Sequence, residues 1–174
     1  GTGNLEIKES TIAIAEGPMF YVTNTSVNVD LENVKFGFAK DAPLAEIVAG
    51  DWGEAGKNGG HLLLKSSNQK LEGDILVDEI SSVRMEMGKK TSYKGAINSE
   101  NKGSASVLME KGADWILTDN CYLESIEFAQ PVEKGIKSIN SKGYNIYYNP
   151  NNADNAVLGG KTYSLKGGGL LLTY

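Results

Sequence analysis

One cysteine, one histidine and one arginine in 174 residues exclude several kinds of chemistry before any pattern is considered. Cys121 alone forms no intrachain disulfide, so thiol usage assigns no compartment, since an extracellular bacterial protein can carry no cysteine at all. His61 alone excludes a histidine-based metal cluster and leaves no Ser/Cys–His–acid triad with a supporting motif. Arg84 is the single guanidinium, net charge is −5 and pI is near 5.0. Nucleic acid and anionic membrane surfaces are held through Lys/Arg patches, so both are expected to be absent as partners. There is no run of 18 apolar residues, and no charged region followed by an apolar stretch at the start. The expectation is either a cytosolic chain or one whose export signal has been removed. Gly1-Thr2-Gly3 ahead of Asn4-Leu5-Glu6-Ile7 reads as a scar on a trimmed mature region. Helical spacing is also missing, because no segment keeps apolar residues at i, i+3, i+4 and i+7 for three turns.

What is present is a hydrophobic pattern that returns every 22 residues. Leu5 and Ile7 return as Val27 and Val29, Ile12 and Ile14 as Val34 and Phe36, and Val22 as Leu44. Leu71, Tyr93 and Trp115 share that spacing, as do Ile75 and Ile97, Met85 and Val107, and Met87 and Met109. Within each unit apolar and polar residues alternate, as in Val83-Arg84-Met85-Glu86-Met87, which is the signature of a strand with one buried face. A fixed offset that preserves residue type predicts one unit stacked on copies of itself. With 40% apolar and 22% charged residues the chain is long enough for one continuous core, read as a single domain over 1–174. The fold class expected is all-β: a right-handed, single-stranded parallel β-helix with coils of about 22 residues and an irregular C-terminal cap. A jelly roll is the rival architecture, although it offers no reason for a constant offset.

The first coil is expected to carry strands near 4–8, 11–15 and 19–23, and the second near 27–31, 33–38 and 44–48. The rhythm then breaks at 50–60, where four further glycines follow Gly50. If Leu62 and Leu64 match Val27 and Val29, the offset there is 35, which implies an insertion of about 13 residues in a turn. Later coils resume at His61, Ser82 and Ser106, the last taken to include Ser125–Phe128. Beyond Phe128 the register fades, and 129–174 reads as the cap that an open solenoid end needs.

The run Leu71-Glu72-Gly73-Asp74-Ile75, then Ser82-Val83-Arg84-Met85-Glu86-Met87, Tyr93-Lys94-Gly95-Ala96-Ile97-Asn98 and Trp115-Ile116-Leu117-Thr118, resembles right-handed parallel β-helix surface proteins of the bacterial adhesin-like kind. Gly143-Tyr144-Asn145-Ile146-Tyr147-Tyr148 and Leu158-Gly159-Gly160-Lys161-Thr162-Tyr163 are similar to their terminal segment. The likeness covers most of the chain after residue 61; residues 1–60 share only the repeat. It implies a secreted or cell-surface protein with a role in adhesion or carbohydrate contact, and it supplies no catalytic motif and no cofactor.

Candidate site residues follow from composition and position. Trp52 sits in the glycine-rich insertion with Asp51 and Glu54 beside it and His61 at the end; an exposed indole there stacks on a sugar ring, or else folds back over the rod. Asp78 and Glu100 fall 22 residues apart, so stacking makes them either an acid pair for Ca²⁺ or acid/base work, or two solvated turn residues. Asn149–Asn155 is rich in oxygen ligands without the Ca²⁺-loop pattern and reads as an Asx-rich turn. Lys8 over Asp30 and Glu72 over Lys94 are expected as cross-coil ion pairs. Three functions compete: a non-catalytic adhesin-like module contacting a glycan or surface protein, a polysaccharide lyase or glycoside hydrolase, and a purely structural stalk.

Overall fold

The computed structural model describes all 174 residues, and they wind as a parallel β-solenoid of about 7 turns. The first coil carries β1 (Thr2–Lys8), β2 (Thr11–Ala13) and β3 (Phe20–Thr23), and the second β4 (Ser26–Glu32), β5 (Lys35–Gly37) and β6 (Ala45–Val48). The third carries β7 (His61–Ser67), β8 (Lys70–Glu72) and β9 (Ile75–Val77), and the fourth β10 (Ser82–Met87) and β11 (Ser92–Lys94). The fifth has β12 (Ser104–Met109), β13 (Asp114–Ile116) and β14 (Cys121–Leu123), and the sixth β15 (Ser125–Phe128), β16 (Ile139–Asn140) and β17 (Ile146–Tyr148). A 3₁₀ turn (Ala153–Leu158), β18 (Tyr163–Ser164) and β19 (Leu170–Thr173) finish the chain. Like-placed strands pair in parallel, above all in the six-stranded sheet β1-β4-β7-β10-β12-β15.

Alternation and stacking together make the core. Leu5, Val29, Leu64, Met85, Val107 and Ile126 form one inward row of that sheet. Leu71, Tyr93, Trp115 and Ile139 form another, and all four are buried. The two aromatics carry polar handles that a dry core must satisfy. Tyr93 Oη donates to the Gly73 carbonyl at 2.8 Å, and Trp115 Nε1 to the Gly95 carbonyl at 3.0 Å, each reaching a turn glycine of the coil above. A Cβ on Gly95 would collide with the Gly73 carbonyl and the Tyr93 hydroxyl, so the aromatic column needs glycine there. Burial pushes the Tyr93 phenol well above its ordinary range, and the carboxylate of Asp74 adds to the shift.

Corners are turned by left-handed residues. After β1, β4 and β7 the chain passes through Glu9 (φ 48°), Asn33 (φ 50°) and Asn68 (φ 45°), with Lys90 (φ 61°) and Gly112 (φ 92°) following β10 and β12. Asparagine and glycine tolerate this region, which accounts for three of the five.

Several expectations are corrected. Thr2 lies opposite Ser26 and Ile12 opposite Phe36, an offset of 24, and Val22 lies opposite Ile47, an offset of 25. Leu5 therefore stacks on Val29 and Ile7 on Leu31, two residues beyond the expected partners. β1 begins at Thr2, two residues before the expected start at 4. Lys8 sits opposite Glu32, with ion pairs to Glu6 at 2.7 Å and Glu32 at 3.6 Å, and makes none with Asp30. Glu72 and Lys94 are opposite one another but close no ion pair. Ser125–Phe128 stacks on β12 and so opens the sixth coil. The tail keeps winding: β17 lies under β14 and β19 under β17, each at an offset of 25, while β18 turns back antiparallel on β19. The 35-residue step from Val27 to Leu62 and the Met85–Val107 pairing hold as read.

Candidate functional site

The insertion between β6 and β7 is tied at its base and bare at its tip. Asn58, almost wholly buried, donates through Nδ2 to the carbonyls of Gly50 (2.6 Å) and Trp52 (3.3 Å). Its own carbonyl accepts from the N–H groups of Asn24 and Gly50. Gly59 and Gly60 run so close to the Ile80 and Val22 carbonyls that no side chain fits. From this base Trp52 projects with 65% of its surface exposed. Glu54 pairs with Lys57 at 2.9 Å, and Asp51 is exposed beside them. His61 belongs elsewhere: its Nδ1 lies 2.8 Å from Ser82 Oγ, and it lines a shallow hollow with Thr2 and Arg84 that includes none of the other three.

Asp78 and Glu100 do come together, on the walls of a hollow of about 200 Å³ that also includes Glu46 and Lys102. Each has another partner. Asp78 accepts from the Ala49 N–H at 2.6 Å and the Ile80 N–H at 3.3 Å. Burial raises its pKa, but the hydroxyl of Ser81 and the N–H groups of Ala49, Ile80 and Ser81 outweigh that and hold it below 3.8. Glu100 is paired with Lys102 at 2.7 Å. A general acid at neutral pH needs its proton held above the usual carboxylate range, and Asp78 is displaced the other way. No group of three His, Cys, Asp or Glu residues is placed to hold a metal ion.

In the Asn149–Asn155 segment, Asn149 accepts from the Asn151 N–H and Asn152 from the Asp154 N–H, both at 2.9 Å. Asn155 is buried, donating to the Glu124 and Asn149 carbonyls and accepting from the Ile126 N–H. These oxygens serve the chain's own turns. Cys121 is buried too; burial raises its thiol pKa to about 12, against the lowering effect of the Ile97 N–H.

The most built-up concavity was not foreseen. In the second face of the solenoid, β5 pairs only with β2 and β8 only with β11, so the sheet splits between coils two and three. Gln69, buried, bridges the split at one point, its amide accepting from the Val34 N–H at 2.8 Å and donating to the Val34 carbonyl at 2.7 Å. Beyond that bridge two hollows open, of about 410 and about 600 Å³, with Phe38 and Glu72 lining both. Lys35 and Lys70 line the first, Lys40 and Lys94 the second. Asp74 supports the second, its Oδ1 accepting from the Ala96 N–H and the Thr118 hydroxyl, each at 3.0 Å. No signal in the linear sequence brings Phe38 beside Lys94, because their meeting depends on how three coils stack.

No helix is long and apolar enough to cross a membrane. Comparison with protein-family models, with curated proteins and with solved structures finds no match.

Proposed function

We propose that this chain is a non-catalytic, adhesin-like binding module, displayed outside the cell or at its surface, that contacts carbohydrate through the Trp52 loop. The observation that carries this reading is an indole 65% exposed on a loop whose base is tied by Asn58 and the Gly59-Gly60 pair. A large aromatic held in water without a core contact has an unfavourable hydration that a sugar face relieves, and a tied base lowers the ordering entropy of binding. The occupied state of Asp78 and Glu100 weighs against the polysaccharide-cleaving alternative. A glycan array with the wild-type protein and Trp52→Ala is the test: ligands lost on truncation of Trp52 support the reading. Depolymerisation of any polysaccharide by the purified protein, abolished by Asp78→Asn, would replace it with the enzymatic one.

A further inference from the structure

We infer that the split between β5 and β8 is a second binding site, built for a saccharide chain that bears carboxylates. The split is a property of the backbone. The six-stranded first face continues from coil to coil, whereas the facing edges of β5 and β8 have no strand between them. The third face also breaks, between β9 and β14, where a single Ile75–Ile97 bridge continues it. Between β5 and β8, Gln69 stands in for the ladder at the Val34 N–H, the Val34 carbonyl and the Lys70 carbonyl, and the lip groups it does not reach have no partner strand across the split. Unpaired N–H and C=O groups along two lips suit a ligand that both donates and accepts, as sugar hydroxyls do.

The side chains narrow the class. Lys35, Lys40, Lys70 and Lys94 are exposed and none of them closes an ion pair with a carboxylate, although the chain as a whole carries an excess of acids. Lys94 stands directly opposite Glu72 and still leaves it unpaired. Four free ammonium groups spaced along one cleft supply the attraction for a repeating anion. Glu72, Asp41 and Asp74 also line it, so acceptors stand among the ammonium groups and suit a ligand whose carboxylates are interspersed with hydroxyl donors. Phe38, packed against Phe36 with ring centroids 5.8 Å apart, stands where the two hollows meet and offers an apolar wall for a pyranose face. The lips are only three residues long on each side, too short for an inserted peptide strand to gain much ladder, which favours saccharide over peptide.

This inference shares the carbohydrate class with the proposed function but not its residues, so the two fail separately. The probe is a hexamer of α-1,4-linked galacturonate, titrated calorimetrically into the full chain, with maltohexaose and a polyglutamate of equal charge as comparators. Saturable binding to the galacturonate hexamer is expected, weakened about tenfold or more by Lys70→Gln/Lys94→Gln, which removes one ammonium group from each hollow, and left within about twofold by Trp52→Ala. Circular dichroism melting of both variants confirms the fold. No saturable binding, equal binding by the lysine variant, or polyglutamate or maltohexaose binding as tightly as the uronate would each overturn the inference. Loss of binding with Trp52→Ala alone would assign the uronate to the loop and overturn it as well.

Discussion

At the N-terminal end of the rod Leu5 is 45% exposed, yet it stands in the same inward row as Val29, Leu64, Met85, Val107 and Ile126, none of which exceeds 2%. Here β1, β2 and β3 are each paired on one side only, and Ile7, Ile12 and Phe20 are half-buried. The C-terminal end is finished differently. The 3₁₀ turn Ala153–Leu158 packs on β15 with Leu158 buried, and β18 folds back on β19. Asn155 there satisfies three backbone groups at once. The difference teaches that the strand pattern decides which way a side chain points, while the coil above or below decides whether it is dry.

The comparison breaks first on core truncation. Trp115→Ala is expected to cost about 3–5 kcal/mol, removing the largest buried side chain and leaving the Gly95 carbonyl without its donor. Leu64→Ala, in the dry middle of that inward row, should cost about 2–5 kcal/mol and Leu5→Ala about 1 or less, as read from urea midpoints at unchanged m-value. Equal costs for the two leucines would mean that the first coil is covered in solution. At the ends, Asn155→Ala should lose about 1–3 kcal/mol, since buried groups lose their partners, whereas Asn28→Ala loses only an exposed bond to Asn4 and should change stability by about 0.5 kcal/mol at most.

A smaller effect tests the turn beneath the insertion. Asp78 is more acidic folded than its ordinary 3.8, so ionisation favours the folded state. That contribution is complete above the unfolded value and fades as pH falls through the lower folded one. Asp78→Asn should therefore melt slightly below wild type at pH 7, with the gap closing below about pH 4. The smallest perturbation is chemical labelling. With its thiol pKa raised to about 12, Cys121 should stay inert to a thiol reagent at pH 8 until the protein is unfolded, whereas a Leu5→Cys variant should react while folded.

The repeat was readable where residue type is preserved from coil to coil: Leu71 over Tyr93 over Trp115, and Met85 over Val107. It misled in the first coil for a physical reason. A two-residue slip leaves every side chain on the same face, so alternation cannot distinguish an offset of 22 from one of 24. The left-handed corners at Glu9 and Asn33 decide it, and their Glu-to-Asn difference hides the match. Past Phe128 the helix Val132–Gly135 and the 3₁₀ turn Ile136–Ser138 separate β15 from β16, which conceals a solenoid that continues in longer steps. Of the candidate residues, Trp52 was legible only as an indole in a glycine-rich loop that could project or fold back over the rod, and the structure leaves it 65% exposed. The cleft of Lys35, Lys70 and Lys94 was not, since isolated lysines in a sequence carry no sign of being unpaired.

By itself the amino-acid order determined the strand content, the inward and outward faces, and the fact that coils stack, because alternation and a conserved period are local properties of the chain. The register of the first coil, the wetness of its core row and the split that opens beside Gln69 were decided only by tertiary structure. Each depends on which peptide groups meet across coils, and that follows from turn geometry and neighbouring strands rather than from any one segment.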